Sequence, residues 1–540
     1  MLCMPVTVAC ALMLTLMFAP NGARAEQQDP SAPPFGILPT SMTLARLMRL
    51  HQSAVGSAPT TGGRTRVEAR TYLRAELQGT QTRVESPAGY LEETTLGPFH
   101  TAHGSLHGKS WMQNENGLTR ELSDLHQRDA IDRAALANAS DPKSGVSLLG
   151  EVTAPVAAYV VRVFPPGGRV EYLFYDRASY LLVRSERQVV NRRVVTTYDD
   201  FRDTGGWREA WHIHASNGLA YDDEDWRLQS LSFGAVVDEK SFAQPQSRGT
   251  VMLGQQSTAL PATLSGDRVI LTAELGGHKV NLQLDSGAAG ILLDRSVADA
   301  VHVTSYGRLT QDVAGEFTAS PALIPVMAIG GATMNNVAVE TAPYGDRTYD
   351  GYPVAGLLGY DFIAGCVVHI DYLNKKVEAI DAGSFSAPQG AFALPIRLDD
   401  GVPVVSARVG SATANAFIVD TGADRSVIFS GFARAHAADV SESGVSETMT
   451  NILPFPEKSH GVGGSIETRI AQVPSLGLGP LTFPNWRFDV TQNALAFEDE
   501  DYDGLIGQDV LRNFDVYLDY HDLKIYLLPN ERYRQRWGSN

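Results

Sequence analysis

The sequence predicts a mainly β protein, with two tandem β-barrel lobes in its second half and an α+β region before them. Short apolar or alternating runs, separated by glycine and proline turns, fill most of the chain. Residues 417–428 place an Asp-Thr-Gly turn between two apolar runs, and residues 282–293 repeat that design with Asp-Ser-Gly. A chain of 540 residues is also too long for one hydrophobic core, so we expect several domains.

The composition is that of a globular protein with an acidic surface. Apolar residues make up 44% of the chain and charged residues 19%, which excludes general disorder. The formal net charge is -17, from 44 basic and 61 acidic residues. Such a charge disfavours broad binding to nucleic acids, so we expect no nucleic-acid partner.

Residues 1–25 are interpreted as a signal peptide. Residues 6–19 form an uncharged, mostly apolar run that is too short to cross a bilayer, and Ala23-Arg24-Ala25 fits a cleavage site before Glu26. No later segment reaches transmembrane length. We therefore expect an exported protein, either periplasmic or secreted.

Cysteine usage excludes an intramolecular disulfide in the mature chain. Cys3 and Cys10 fall within the signal, and only Cys366 remains after its removal. Cys366 lies in an apolar run with Val367 and Val368, which indicates a small buried side chain.

Residues 26–245 are predicted to form an α+β domain. Apolar residues at three-to-four spacing predict a helix over residues 43–55. Strict alternation from Val67 to Leu73 then predicts a half-exposed strand, with Val67, Ala69 and Leu73 on its apolar face and Glu68 and Arg70 on its polar face. Further strands are predicted at residues 90–94, 110–113, 157–164, 169–175, 180–187 and 194–201.

This order of elements resembles the bacterial lipoprotein-carrier fold, an incomplete β-barrel wrapped over a helix. The opening helix carries the resemblance, together with residues 174–176, 180–184, 198–201 and Gly205-Gly206-Trp207. The resemblance implies a concave apolar face that holds a lipid chain or an extended peptide, with a lipid or lipoprotein as partner. The alternative is a plain β-domain that spaces or chaperones the second half.

Two groups of histidines are also interpreted as surface or packing residues. His100, His103 and His107 are close in sequence, and His212 and His214 share one face of a strand. Zinc sites need a third or fourth ligand and a supporting shell, and no cysteine is near. We therefore expect no metal and no cofactor.

The second half is an internal repeat, with a linker at 246–260 and lobes at 261–386 and 387–540. Residues 271–276 match 405–410, residues 356–363 match 504–511, and residues 369–372 match 517–520. Each copy contains a hairpin, an Asp-(Ser/Thr)-Gly turn, a glycine-containing middle hairpin and an apolar-apolar-Gly strand. The second copy is longer between its turn and that strand, and residues 452–458 are its apparent insertion.

This order resembles that of the retroviral-type, or retropepsin-like, aspartic peptidases, and the pepsin family pairs two such lobes. The resemblance implies an aspartic endopeptidase that acts on a peptide or protein substrate, with Asp285 and Asp420 as its catalytic pair. Two carboxyls about 3 Å apart share one proton, so one can activate water while the other protonates the substrate carbonyl.

The resemblance also assigns supporting roles. The hydroxyls of Ser286 and Thr421 cross between the lobes and lock the two turns together. Gly287 and Gly422 let the backbone approach the carboxylates. Gly359 and Gly507 are expected to lie beneath the turns, where the strands cross. Gly315, Gly463 and Gly464 are the glycines of the two flap candidates.

The two lobes are not equivalent. Neither flap candidate carries the tyrosine of pepsin-like flaps, and Ala289 of the first lobe stands where the second has Asp424. This difference favours a pseudo-symmetric monomer over a homodimer of identical sites. Two alternatives stay open, namely lobes that pair with those of another chain, and a catalytically weak peptide- or lipid-binding carrier that uses the same cleft.

Overall fold

The computed structural model forms two compact units. It describes residues 33, 35–57, 65–122, 132, 135–166, 168, 170–189, 192–219, 221–312, 316–345, 347–349, 351–449, 466–491 and 502–538. One unit comprises residues 21–114 and 121–245, and the other comprises residues 115–120 and 246–540. The predicted signal peptide lies outside the described residues.

The first unit opens with helix α1 (Leu44–Val55), whose N-terminus is capped when the Thr43 side chain accepts the N–H of Arg46. A 3₁₀ helix (Glu239–Phe242) ends the unit. Its strands are β1 (Arg66–Arg74), β2 (Leu77–Ser86), β3 (Gly89–Leu96), β4 (Phe99–Leu106), β5 (Lys109–Gln113), β6 (Thr119–Glu121, which begins in residues of the other unit), β7 (Val146–Val152), β8 (Ala158–Val163), β9 (Glu171–Asp176), β10 (Leu182–Val189), β11 (Arg192–Thr204), β12 (Trp207–Ser216) and β13 (Glu224–Phe233).

These strands form one antiparallel sheet that covers the helix. Strands β5 to β1 pair in succession, β1 pairs with β13, and β13 continues in succession back to β7. Leu47 of α1 is fully buried in a cluster with Tyr72, Leu173 and Tyr175 from the sheet. The predicted half-barrel over a helix is confirmed.

Strand β1 alternates as predicted, but the prediction of its buried face is wrong. Glu68 and Arg70 are buried, whereas Leu73 is 40% exposed. The buried charges are compensated, because Glu68 forms ion pairs with both Arg66 and Arg70. Arg66 also pairs with Glu209 of β12. Paired, hydrogen-bonded charges can be buried where single ones cannot, and alternation alone does not reveal the pairing.

The first lobe of the second unit contains helices α2 (Arg295–Ala300) and α3 (Tyr360–Ile363). Its strands are β14 (Met252–Leu253), β15 (Ser257–Leu260), β16 (Ala262–Ser265), β17 (Arg268–Leu275), β18 (His278–Leu284), β19 (Ile291–Asp294), β20 (Thr304–Ser305), β21 (Leu309–Asp312), β22 (Glu316–Ile329), β23 (Ala332–Ala342), β24 (Arg347–Tyr349), β25 (Tyr352–Val354), β26 (Gly356–Leu358), β27 (Val367–Asp371) and β28 (Lys376–Ile380).

The second lobe contains helices α4 (Ser430–Ala435), α5 (Gln508–Leu511) and α6 (Glu531–Trp537). Its strands are β29 (Phe392–Pro395), β30 (Arg397–Asp399), β31 (Val402–Val409), β32 (Ala412–Val419), β33 (Val427–Ile428), β34 (Ser441–Met449), β35 (Ile466–Leu478), β36 (Leu481–Thr491), β37 (Gly504–Ile506), β38 (Phe514–Asp519) and β39 (Lys524–Pro529).

Both lobes have the same unusual strand crossing. In the first lobe, β18 runs parallel to β26, while β19 is antiparallel to β26 and parallel to β23. In the second lobe, β32 runs parallel to β37, while β33 is antiparallel to β37 and parallel to β36. The turn between β18 and β19 carries Asp285, and the turn between β32 and β33 carries Asp420. The repeat in the sequence is therefore also a repeat in the structure.

The lobes are joined by a shared sheet and a shared core. A six-stranded sheet takes β15, β28 and β27 from the first lobe and β38, β39 and β29 from the second. Its central pairing is antiparallel and aligns Val368 with Leu518. One hydrophobic cluster contains buried residues of both lobes, among them Leu271 and Phe483.

The segment predicted as a linker, 246–260, contains two short strands. Strand β14 pairs with β23, and β15 pairs with β28. Val251 and Leu260 are buried, and the Thr250 hydroxyl donates to the Asp361 carbonyl (2.9 Å). The apolar residues within this polar stretch therefore anchor it to the first lobe.

Cys366 is buried, and burial raises the pKa of its thiol to about 12. In the described part of the chain, no helix combines the length and the apolar character needed to span a bilayer.

Candidate active site

The two aspartates occupy the same position in their lobes. The N–H of Asp285 donates to the Leu358 carbonyl (3.0 Å), and the N–H of Asp420 donates to the Ile506 carbonyl (2.9 Å). The strands that lead into them, β18 and β32, end in runs of buried residues. Asp285 and Asp420 therefore follow buried strand ends at equivalent positions in the two lobes.

Two hydroxyls lock the turns to each other. The Ser286 N–H donates to Thr421 Oγ1 (2.9 Å), and the Thr421 N–H donates to Ser286 Oγ (3.0 Å). Each hydroxyl then donates to a strand of the opposite lobe, Ser286 to the Val419 carbonyl (2.6 Å) and Thr421 to the Leu284 carbonyl (3.1 Å). All four bonds cross between lobes, so the turns cannot separate without leaving buried polar groups unpaired.

The glycines of the turns bring the two carboxyls together. The Gly287 N–H donates to Asp285 Oδ1 (2.9 Å), and the Gly422 N–H donates to Asp420 Oδ1 (2.7 Å). A Cβ added to Gly422 would lie 2.5 Å from Asp285 Oδ2, and one added to Gly287 would lie 2.8 Å from Asp420 Cγ. Each carboxyl therefore packs against the glycine of the other turn, a close approach that no larger residue permits.

The electrostatic environment raises the pKa of both carboxyls. Burial raises the pKa of Asp285 to about 6, against the opposing effects of hydrogen bonds from Asp420 and from the Gly287 N–H. Burial and then the charge of Asp285 raise the pKa of Asp420 well above that of a free carboxyl. Two buried acids that interact in this way hold one proton between them over a range of pH.

Gly359 and Gly507 lie directly beneath the turns. A Cβ on Gly359 would lie 2.3 Å from the Ala288 carbonyl oxygen, and one on Gly507 would lie 2.6 Å from the Arg425 carbonyl oxygen. The residue after each glycine bonds to the turn, since the Tyr360 N–H donates to the Ala288 carbonyl (3.0 Å) and the Gln508 N–H donates to the Ala423 carbonyl (2.8 Å).

Two glutamines also support the second turn, and motif reasoning did not identify them. Gln283 Nε2 donates to the Gly422 carbonyl across the lobes (3.1 Å), and Gln508 Nε2 donates to the Thr421 carbonyl (2.6 Å). Both are buried. The available signal was a polar side chain beside each motif, with Gln283 two residues before Asp285 and Gln508 directly after Gly507.

Further polar contacts support the turn of the second lobe. Ser426 donates its N–H (2.9 Å) and its hydroxyl (2.7 Å) to Asp509 Oδ1, and Ser426 Oγ accepts the Gly507 N–H (3.1 Å). Asp424, the residue that replaces Ala289, forms an ion pair with Arg268 of the first lobe. The replacement of Ala289 by Asp424 at the equivalent position therefore adds an ion pair between the two lobes.

A basic and aromatic group lies near Asp285 in the first lobe. The Arg347 guanidinium lies 4.5 Å from the centre of the Tyr344 ring, and the positive charge of Arg347 opposes the rise in the pKa of Asp285. Asp294 accepts the N–H of Tyr344 (2.8 Å) and of Gly345 (3.1 Å), which fixes this segment to the strand that follows the turn.

The flap candidates Gly315, Gly463 and Gly464 lie outside the described residues. The strands that flank them are described. Strand β21 pairs with β22 up to Asp312 and Glu316, and β34 pairs with β35 up to Met449 and Ile466.

The histidines of the first unit are also placed by the structure. His212 lies between Asp199 (2.8 Å) and Asp225 (2.6 Å), and contact with these carboxylates raises its pKa against the opposing effect of burial. Within the residues that the structure describes, no group of three or more His, Cys, Asp and Glu is arranged to hold a metal ion.

Comparisons with known proteins follow the same division of the chain. The aspartyl protease family model matches residues 271–362 and again residues 405–510. A comparison with curated protein sequences found no match.

Solved structures with some likeness to the chain include an aspartic proteinase from Irpex lacteus, with 14% identity and a TM-score of 0.33, over 53% of this chain and 100% of that one. A LolA superfamily protein from Nitrosomonas europaea has 10% identity and a TM-score of 0.28, over 38% of this chain and 98% of that one. A putative outer membrane lipoprotein-sorting protein domain from Vibrio parahaemolyticus has 10% identity and a TM-score of 0.27, over 36% of this chain and 94% of that one. From the family-model match, each of the two lobes of this chain is similar to the aspartyl protease family.

Proposed function

We propose that the chain is an aspartic endopeptidase that hydrolyses peptide bonds with water activated between Asp285 and Asp420. The observation that carries this proposal is the reciprocal packing of each carboxyl against the glycine of the opposite turn. Such packing serves no purpose in a plain β-domain, because two buried carboxyls side by side cost folding free energy.

The chemistry follows from the shared proton. The ionised carboxyl takes a proton from water, and the neutral carboxyl hydrogen-bonds the substrate carbonyl and protonates the tetrahedral intermediate. This route forms no covalent intermediate with the enzyme and requires no metal.

The surroundings support binding of a peptide beside the pair. Ala288 and Ala423, which follow the two turns, belong to one buried apolar cluster that also contains Phe317 of β22 and Tyr344. Apolar walls around a buried acid pair exclude water and strengthen the interactions of the pair with substrate. We further propose that the hairpins with Gly315, Gly463 and Gly464 cover the substrate as flaps.

Localisation, assembly and the role of the first unit are also proposals. The apolar run before Glu26 supports export to the periplasm or beyond. The asymmetry between Ala289 and Asp424 supports a monomer whose two lobes form one site. For the first unit, binding of a lipid chain or of an extended peptide stays a proposal, because the buried charges of β1 pair with one another and do not distinguish the two ligands.

Incubation of the full chain with a peptide library tests the proposal. Cleavage products are identified by mass spectrometry at pH values from about 3 to 8, a span that covers perturbed acid pairs. We expect cleavage that the aspartic peptidase inhibitor pepstatin suppresses. A folded protein that binds peptides but cleaves none of them at any pH would instead support the carrier alternative.

A further inference from the structure

A polar cleft that does not include Asp285 or Asp420 lies where the two lobes meet. It has a volume of about 480 Å³. One lobe contributes the tip of the β16–β17 hairpin, and the other contributes the end of α5 and one side of α6. The residues that line it are Asp267, Arg512, Asn513, Arg532, Gln535 and Arg536.

The cleft is basic although the chain as a whole is strongly acidic. Three arginines line it against one aspartate, in a chain with a net charge of -17. Asp267 already shows what these arginines bind, because Arg512 Nη1 donates to its Oδ2 (3.2 Å) and Arg532 Nη1 donates to its Oδ1 (2.9 Å). Two guanidinium groups thus converge on one carboxylate, one on each oxygen.

Arg536 supplies positive charge that Asp267 does not neutralise. Its guanidinium lies 4.6 Å from the ring of Trp537 and 5.2 Å from the ring of Trp486. Among the described residues, no carboxylate lies within ion-pair distance of it. Stacking on two indole rings fixes a guanidinium in place and leaves its N–H groups free to donate.

We propose that this cleft binds an oxyanion, with phosphate or polycarboxylate chemistry, and that the anion competes with Asp267 for Arg512 and Arg532. Planar guanidinium groups match the paired oxygens of phosphates and carboxylates, and an arginine-rich site is specific for this geometry. The cleft is separate from the Asp285–Asp420 pair, and the proposal does not depend on peptidase activity.

The cleft is also connected to the second catalytic turn. Asp267 is followed in the chain by Arg268, which pairs with Asp424, four residues after Asp420. An anion that displaces Asp267 from its arginines loosens the hairpin that carries Arg268. The site therefore lies one residue from a contact that supports the turn.

Titration of the full chain with inorganic phosphate and, separately, with citrate tests the proposal by calorimetry at constant ionic strength. We expect saturable binding to the wild type. Arg536→Ala should weaken binding at least about tenfold, because it removes charge-assisted hydrogen bonds. Asp267→Asn should tighten binding roughly three- to tenfold, because it removes the internal competitor.

Two controls make the result decisive. Arg534→Ala changes the net charge as Arg536→Ala does, but its side chain pairs with Glu531 outside the cleft. Glu531→Gln matches Asp267→Asn in the same way. Equal effects of Arg534→Ala and Arg536→Ala, or no saturable binding of either anion, would overturn the proposal. Tighter binding of phosphate than of citrate would assign a phosphoryl ligand, and the reverse order would assign a polycarboxylate.

Discussion

The two lobes share one turn and differ in what supports it. In both, the aspartate N–H bonds to the crossing strand, and the hydroxyl of the next residue crosses to the opposite lobe. Behind the first turn lie Ile291 and Tyr360, whereas the matching positions behind the second hold Ser426 and Gln508. The second turn is therefore held by polar contacts where the first is held by apolar packing.

This difference indicates which features a duplicated site retains. Both lobes need the crossed hydrogen bonds of Ser286 and Thr421 and the glycines of the two turns. Each of these groups contacts the turn of the opposite lobe. The side-chain contacts of Ser426 lie within its own lobe, so the copies could diverge at this position. An asymmetric surrounding also separates the pKa values of two chemically identical acids, and acid–base catalysis needs one ionised and one neutral carboxyl.

Apart from removal of the aspartates themselves, the largest effect on activity is expected for Gly422→Ala. The new methyl group would lie 2.5 Å from Asp285 Oδ2 and displace that carboxyl. Displacements of this size cost about 10²-fold in rate, so we expect at least that loss of kcat/KM. Gly249→Ala, where a Cβ meets nothing within 4 Å, is the control. Wild-type activity in Gly422→Ala would mean that the carboxyls do not face each other.

The largest effect on stability is expected for Thr421→Val. The substitution keeps the shape of a fully buried residue but removes the partner of the Ser286 N–H and of the Leu284 carbonyl. Leaving two buried groups unpaired should cost about 2–4 kcal/mol in urea unfolding. Ser286→Ala should cost a similar amount, since its bonds mirror those of Thr421. A clear difference between the unfolding free energies of the two variants would show that the hydrogen bonds of Thr421 and Ser286 do not contribute equally.

A smaller effect is expected for Asp424→Ala, which gives the second turn the residue of the first. It leaves the largely buried Arg268 without its carboxylate and should reduce the free energy of unfolding by about 1–3 kcal/mol. The double variant Arg268→Ala/Asp424→Ala should recover part of that loss in a double-mutant cycle. Strictly additive losses would mean that the pair contributes no coupling between the lobes.

The smallest effect is expected for Ser426→Ala, and it should depend on pH. Burial raises the pKa of Asp509 to about 6, while the bonds from Ser426 oppose that rise. A raised pKa in the fold means that this group's contribution to stability is complete below its unfolded pKa and is lost as the pH rises through about 6. Removing the hydroxyl raises the pKa of Asp509 further, so the loss at pH 8 should exceed the loss of about 1 kcal/mol at pH 4. Equal losses of unfolding free energy at pH 4 and pH 8 would contradict the predicted increase with pH.

The sequence predicted the repeat, the aspartate turns and the β-rich lobes because each depends on local patterns. Apolar runs on either side of each Asp-(Ser/Thr)-Gly turn predict buried strands that enter and leave it, and the second copy of the pattern identifies the two turns as a pair. The matching Gly356 and Gly504 strands then fix which element crosses each turn. A family-model match to both lobes agrees with this interpretation.

What the sequence did not predict are contacts between residues distant in the chain. Arg268 pairs with Asp424 over 156 positions, and no local pattern joins them. The buried face of β1 was assigned to the wrong side because alternation gives two faces but not which one is covered. The ion pair between Arg66 of β1 and Glu209 of β12, two strands apart in the sheet, shows that the charged face can be buried.

The most direct measurement compares the cleavage rates of the wild type, Asp285→Asn and Asp420→Asn on one peptide from the library. Asp522→Asn, at an exposed turn, serves as the matched control, and circular dichroism verifies that each variant is folded. Loss of general acid–base catalysis costs at least about 10²–10⁴-fold, so both variants should lose cleavage while Asp522→Asn keeps it. Retention of wild-type cleavage by either Asp285→Asn or Asp420→Asn would contradict the assignment of the pair.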